Sequence, residues 1–278
     1  MRIKNIHIIL IISLITALWG CREEIDLELN DSYPRLVVEG GITTDSAYQY
    51  IELSKTGSYF SDNKLPVISG AAVKVTDGTN VYDFAESTIY PGRYYSKQKM
   101  KGVPGKTYRL TIAGVDIDND NQKEVYTAEE KMKSFLYVDS LKYEYYDHNG
   151  RDAYKIFGYT QEPPTLGDFY MFRYFVNGHI VTDTLDEVRF YSDEFVNGNY
   201  LAHIYLGSVY ASKGDTLTIE TNSITEDYYN FIISFFLETK WSSAPFAGPP
   251  ANVETNIDNG AVGYFNTEAR TRFSIVFE

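Results

Sequence analysis

A single cysteine, Cys21, stands in a chain of 278 residues, so no disulfide can form within it. A structural cysteine belongs in a core, yet Cys21 lies where an apolar run gives way to acid, in LITALWGCREEIDLEL from Leu14 to Leu29. Histidine is almost as scarce. His7 lies in the leader, and His148, His179 and His203 are far apart, with no His-Glu-x-x-His spacing and no second cysteine to complete a zinc site. A Gly-x-Ser-x-Gly elbow, a Walker loop and a dinucleotide-binding glycine cluster are also missing, so no motif requires a nucleotide, a metal or another cofactor. Cations are in deficit: 25 Lys and Arg against 38 Asp and Glu give a formal net charge of −13, which removes any electrostatic reason to bind nucleic acid. No apolar run reaches the roughly 20 residues that a spanning helix needs.

Arg2 and Lys4 make a short basic head, Ile6 to Trp19 is almost uninterruptedly apolar, and Gly20 follows, which is the order of a secretory signal peptide. Leu18-Trp19-Gly20-Cys21 resembles a bacterial lipoprotein signal, in which the cysteine is lipidated and becomes the new N-terminus. That resemblance implies that residues 1–20 are removed and that Cys21 is the lipid attachment point, its acyl chains (palmitate among them) exceeding the two signals that stable membrane attachment takes. An ordinary signal peptide with an incidental cysteine is the alternative. Residues 21–33 read as a lipidated acidic tether. Glu23, Glu24, Asp26 and Glu28 resemble an export signal that carries some Bacteroidota lipoproteins to the cell surface, and mutual repulsion in a solvated tether accounts for them equally.

The rest is rich in aromatic residues, 25 Tyr and 16 Phe, which bury large areas and favour strands. Short alternating runs separated by turn signals predict a mainly β protein of two β-sandwich-like domains, immunoglobulin- or transthyretin-like. The first, residues 34–133, holds about seven strands on that pattern, with a hairpin turn at Asp77-Gly78-Thr79-Asn80. The second, residues 134–278, carries a further β series with a hairpin at Asn177-Gly178 and one helix, residues 223–239, whose expected capping box is Ser223 with Glu226. The helix is expected to lay its apolar stripe on the second sheet. Two closing strands are expected, near Val262 to Phe265 and near Phe273 to Phe277.

Taken together, the cysteine-ended leader, Leu36-Val37-Val38-Glu39-Gly40-Gly41-Ile42-Thr43, Pro91-Gly92-Arg93-Tyr94, Gly105-Lys106-Thr107-Tyr108-Arg109-Leu110 and the closing Asn256-Ile257-Asp258-Asn259-Gly260-Ala261-Val262-Gly263-Tyr264-Phe265 are similar to the Bacteroidota lipoprotein family catalogued as domain of unknown function 4249. The resemblance spans nearly the whole mature chain. It implies an outer-membrane lipoprotein, anchored by lipid on the periplasmic face or the cell surface and often encoded beside a TonB-dependent receptor, a possible partner, with no established activity.

Three candidate sites are weighed on the residues themselves. Asp116-Ile117-Asp118-Asn119-Asp120-Asn121 places oxygens at positions one, three and five of a calcium loop but lacks Gly at six and Glu at twelve, and it reads as a polar hairpin tip. Trp241 and Phe246, in WSSAPFAGPPANVETN, could offer a flat aromatic surface to a sugar, a peptide or a receptor rim, or could plug the seam between helix and sheet. No pair among the 38 acids is singled out as catalytic. The expected function is therefore that of a non-catalytic binding or accessory lipoprotein of TonB-dependent uptake, with a surface glycan or peptide hydrolase and a structural or adhesive surface protein as alternatives.

Overall fold

The computed structural model describes residues 33–57, 65–182, 184, 187–240 and 253–278. Cys21, Trp241 and Phe246 lie outside them.

The first half is made of seven strands: β1 (Leu36–Thr43), β2 (Tyr50–Lys55), β3 (Ala72–Thr76), β4 (Val81–Glu86), β5 (Arg93–Ser96), β6 (Thr107–Val115) and β7 (Glu124–Lys131). Turn chemistry sets their spacing. Between β3 and β4 the Asp77 carboxylate accepts the amides of Thr79 and Asn80 at 2.9 and 2.7 Å while Gly78 takes φ +84°, a conformation that costs glycine nothing. The second half adds β8 (Val138–Asp147), β9 (Asp152–Gln161), β10 (Phe169–Val176), β11 (His179–Ile180), β12 (Arg189–Ser192), β13 (Tyr200–Tyr210), β14 (Thr216–Ile224), helix α1 (Glu226–Lys240) and β15 (Val262–Val276). Asn177 and Gly178 turn β10 into β11 with φ of 51° and 81°, the paired positive angles of the expected hairpin.

Twelve strands form one sheet, ordered β11-β10-β14-β15-β1-β2-β5-β4-β3-β6-β7, with β12 also paired to β10. The other three, β13-β9-β8, form a small second sheet. Every pairing is antiparallel except that of β1 with β15. Val38, Leu53, Val75, Leu110 and Phe265 share one core although their strands lie far apart in the sheet order, so the large sheet folds over on itself around them. A second core forms where the small sheet packs on β10, β14 and β15, around Ile156, Phe172, Leu217, Ile219 and Phe277. Tyr154 stacks on Phe277 with ring centroids 3.9 Å apart, and Tyr143 meets the same ring edge-on at 5.0 Å.

The first core runs along the chain to Met132 and the second begins at Leu136, but Ile257, Ala261, Phe265 and Ala269 return to the first. Residues 34–278 nevertheless make one compact unit, because β15 pairs with β1 on one side and β14 on the other and supplies Phe265 and Ala269 to the first core and Phe277, just beyond its end, to the second. The two closing strands of the sequence reading are thus a single 15-residue strand. Its middle, Asn266 to Arg272, looks like a polar connection in sequence but extends because its neighbours in the sheet hold its polar side chains. The closing motif is structural too: the Asp258 carboxylate accepts Thr127 N–H at 2.6 Å, and Asn256 pairs with both backbone groups of Phe265, which ties β7 to the start of β15.

Helix α1 begins three residues later than expected. Ser223 stays in β14, opposite Tyr170 and Ala269, and Thr225 takes the cap, its Oγ1 accepting Tyr228 N–H at 3.2 Å. Glu226 and Asp227 follow in the first turn, where the helix dipole favours negative charge. The apolar face packs through Tyr228, Phe231 and Ile232 onto Met171 and Ile224 of the large sheet, and through Tyr228 and Phe231 onto Tyr264.

Because β15 binds the two cores together, Phe265→Ala and Phe277→Ala should each cost about 3–5 kcal/mol and shift a single cooperative unfolding transition. Calorimetry showing two transitions, each moved by only one substitution, would contradict this coupling.

Candidate functional site

A groove of about 1060 Å³ runs over one face of β10, β14, β15, β1 and β2, with α1 along its side. Strand alternation builds its floor: Asn266, Glu268, Arg270 and Arg272 of β15 point into it, joined by Glu220 of β14 and Arg173 of β10. Glu268 is 3% exposed and accepts from Arg270 at 2.5 and 2.9 Å, from Arg173 at 3.1 and 3.3 Å and from the Asn266 amide at 2.9 Å. Glu220, equally buried, takes Arg272 at 2.5 Å and Arg173 at 3.4 Å. Asp45, in the turn after β1, receives both Nη atoms of Arg272 at 2.8 and 2.7 Å and Arg270 at 3.2 Å. Three guanidiniums and three carboxylates thus form one lattice whose formal charges cancel.

Burial by itself would raise the Glu268 carboxyl, but the adjacent Arg173 and Arg270 guanidiniums override it and hold the group at about 2. Asp45 is likewise held at about 2, first by its hydrogen bonds from Arg272. Both are permanent anions near neutral pH. Aromatic rings make the walls: Tyr48 and Tyr50 on one side, Tyr228 and Phe231 of α1 with Tyr264 on the other, the last ring 5.1 Å from each of its two helical neighbours. Gly41 lets β1 come close to β15, since a Cβ there would lie 2.0 Å from the Asn266 carbonyl oxygen.

Behind this wall lies Glu130 of β7, which accepts from Thr225 Oγ1, from Asn256 Nδ2 at 3.4 Å and from Tyr264 O–H at 3.4 Å. Burial pushes its carboxyl up to about 7 against the opposing pull of these donors.

None of the groove-floor residues is legible as a site from the sequence. The available signal is the polar alternation of Asn266, Glu268, Arg270 and Arg272 between two apolar ends, which a continuous strand would place on one face. Of the candidates read from the sequence, Cys21, Trp241 and Phe246 are outside the described residues. Asp116, Asp118 and Asp120 do converge, their ligand atoms within 4.8 Å of one another at the β6–β7 tip, where Asp116 caps the amides of Asp120 and Asn121 at 3.1 Å. His148 stacks on Tyr210, His179 lies in β11 and His203 packs against Phe157, so the three do not meet.

The chain matches the family described as Domain of unknown function (DUF4249) over residues 22–274, and it belongs to that family. No curated protein matches it.

Glu130 and Glu268 make opposite contributions to stability. A free glutamate ionises near 4.5, and Glu130 in the fold near 7. Between these values the folded state holds a proton that the unfolded chain has released, so this group's contribution falls as pH rises from about 4.5 to about 7 and is constant above, a loss of about 3 kcal/mol. Glu268, held near 2, contributes fully above about 4.5 and loses that contribution as pH falls toward 2. Glu130→Gln should therefore gain in Tm relative to the parent between about pH 5 and about pH 8, and a difference independent of pH would refute the assignment. Glu268→Gln, which leaves two guanidiniums short of an anion, should cost about 3–5 kcal/mol at neutral pH in the same melts.

Proposed function

We propose that this chain is a lipid-anchored outer-membrane lipoprotein that binds a ligand in the β15 groove without transforming it, and that it serves as an accessory component of a TonB-dependent uptake system. The groove carries this reading. Its floor has no net charge yet many oriented hydrogen-bond donors, and its walls are aromatic, a combination that suits an uncharged polar ligand such as a glycan segment. The anchor part of the reading rests on the leader and Cys21, and the uptake part on family resemblance.

The alternative of a surface hydrolase has less support from this groove. A two-carboxylate mechanism needs one carboxyl that carries a proton and one that is free to attack or activate water. Asp45, Glu220 and Glu268 are all engaged by arginine, which leaves Glu39 as the one groove carboxylate with no ion pair among the described residues.

The reading is tested by pulling down the tagged protein from gently solubilised outer membranes, with Cys21→Ala as control and mass spectrometry of the eluate. A TonB-dependent receptor enriched with the parent and lost with Cys21→Ala is the expected result. Recovery of the lipidated protein alone would move the hydrolase and adhesin readings ahead. In parallel, Tyr48→Ala and Tyr50→Ala, whose rings are exposed on the groove, should weaken retention of glycans on an array by about 0.5–1.5 kcal/mol per stacked ring.

A further inference from the structure

A second, smaller cavity of about 230 Å³ lies in the other core, between the three-stranded sheet and the β10–β12 edge of the large one. Its walls are apolar: Leu136, Phe172, Leu201, Ile204 and Leu206. Strand β13 is irregular along this wall. Its register with β9 slips between Leu201 and Ile204 and again between Tyr205 and Gly207, and His203 takes φ +60°. Such bulges bend a strand locally, and positive φ at a residue other than glycine persists only where the surroundings enforce it. The strand therefore departs from regular pairing over the stretch that leaves this space unfilled, although a close-packed interior would gain by closing it.

One end of the cavity is polar. Glu162, 1% exposed, lines it, and its Oε1 accepts Tyr170 O–H at 2.7 Å. Its second oxygen accepts no other hydrogen bond among the described residues. Asp168 and Asp193 bring their carboxylates within 4.8 Å of that of Glu162. Asp193 accepts Gly167 N–H at 3.0 Å, and Lys133 lies 3.7 Å from Asp168, the one cation within ion-pair distance of the three among the described residues. Three carboxylates and one cation thus gather beside the Glu162 end of the chamber, with Thr165 Oγ1 also donating to Asp168 at 2.8 Å.

We infer that this cavity is a second binding site, distinct from the groove, that takes a small amphiphilic amine: an apolar body in the chamber and a protonated primary amine donating to the free oxygen of Glu162. Size supports this class. An apolar protein cavity of about 150 Å³ admits benzene, and this one has room for such a ring carrying a short alkyl chain. Charge excludes the mirror-image ligand, since a fatty or aromatic acid would set its carboxylate against three others.

The test titrates the full chain with 2-phenylethylamine, 2-phenylethanol and 3-phenylpropanoate by calorimetry, with methyl NMR at Ile204 and Leu206 reporting where each binds. The amine should bind saturably and shift both methyl signals, with the alcohol about ten-fold weaker and the acid weaker still. Glu162→Gln should remove the preference for amine over alcohol while leaving alcohol binding in place, which also shows that the variant is folded. Ile204→Phe, which fills the chamber, should abolish binding of both. Equal affinity for amine and alcohol, a preference that survives Glu162→Gln, or methyl signals that do not move at saturation would overturn the assignment.

Discussion

Glu268 is a carboxylate enclosed by protein and kept ionised by two guanidiniums, and much of the molecule is arranged around that requirement. An isolated charge in such a place would cost several kcal/mol or would take up a proton. Here it does neither, because β10 delivers Arg173 and β15 delivers Arg270, and these guanidiniums are held in turn by Glu220 of β14 and Asp45 of the turn after β1. The pairings that put them there, β10 with β14, β14 with β15 and β15 with β1, are also the ones that join the two cores. Removing Glu268 would take from Arg173 and Arg270 their closest carboxylate, so the lattice constrains the sheet register as well as the charge.

That constraint shapes what the groove can do. Arginine presents a planar fork of donors, and when its strongest bonds are spent on carboxylates the fork is held rigid while its remaining N–H groups keep their direction. A floor of this kind is preorganised for hydrogen bonding and poorly suited to proton transfer, since Glu268 and Asp45 are held as anions by their arginines. The aromatic walls supply the apolar half of recognition. The chamber at the other core has the converse character, mostly apolar with Glu162 at one end. The two recognition chemistries are opposite, and they occupy different parts of one continuous sheet.

Local rules recover much of the architecture. Seven strands between Pro34 and Lys133 follow from alternation and glycine-bearing turns, and the turns at Asp77–Asn80 and Asn177–Gly178 form through their own side chains and backbone freedom. The helix is legible from the spacing of Tyr228, Phe231, Ile232 and Phe235. Its start is not. Ser223 and Thr225 are both good caps, and the choice was made by β10 and β15, which hold Ser223 in the strand. Strand β15 shows the same limit. Asn-Thr-Glu-Ala-Arg-Thr-Arg looks like a polar link between two strands until β1 and β14 are placed on either side, because only then do its acids and arginines have buried partners.

By itself the sequence determined the class of fold, the helix that follows β14 and the family. All of these depend on composition, short-range periodicity or local turn chemistry, which act over a few residues. Only the tertiary structure decided that the chain is one coupled unit, that Arg173, Glu220, Glu268, Arg270 and Asp45 share a groove, and that Glu162 closes an apolar chamber. The groove needs contacts between residues 47 to 225 positions apart, and no local preference encodes a meeting at that range. The parallel pairing of β1 with β15 sets residues 37–43 beside 262–268 and so brings Asp45 to Arg270 and Arg272.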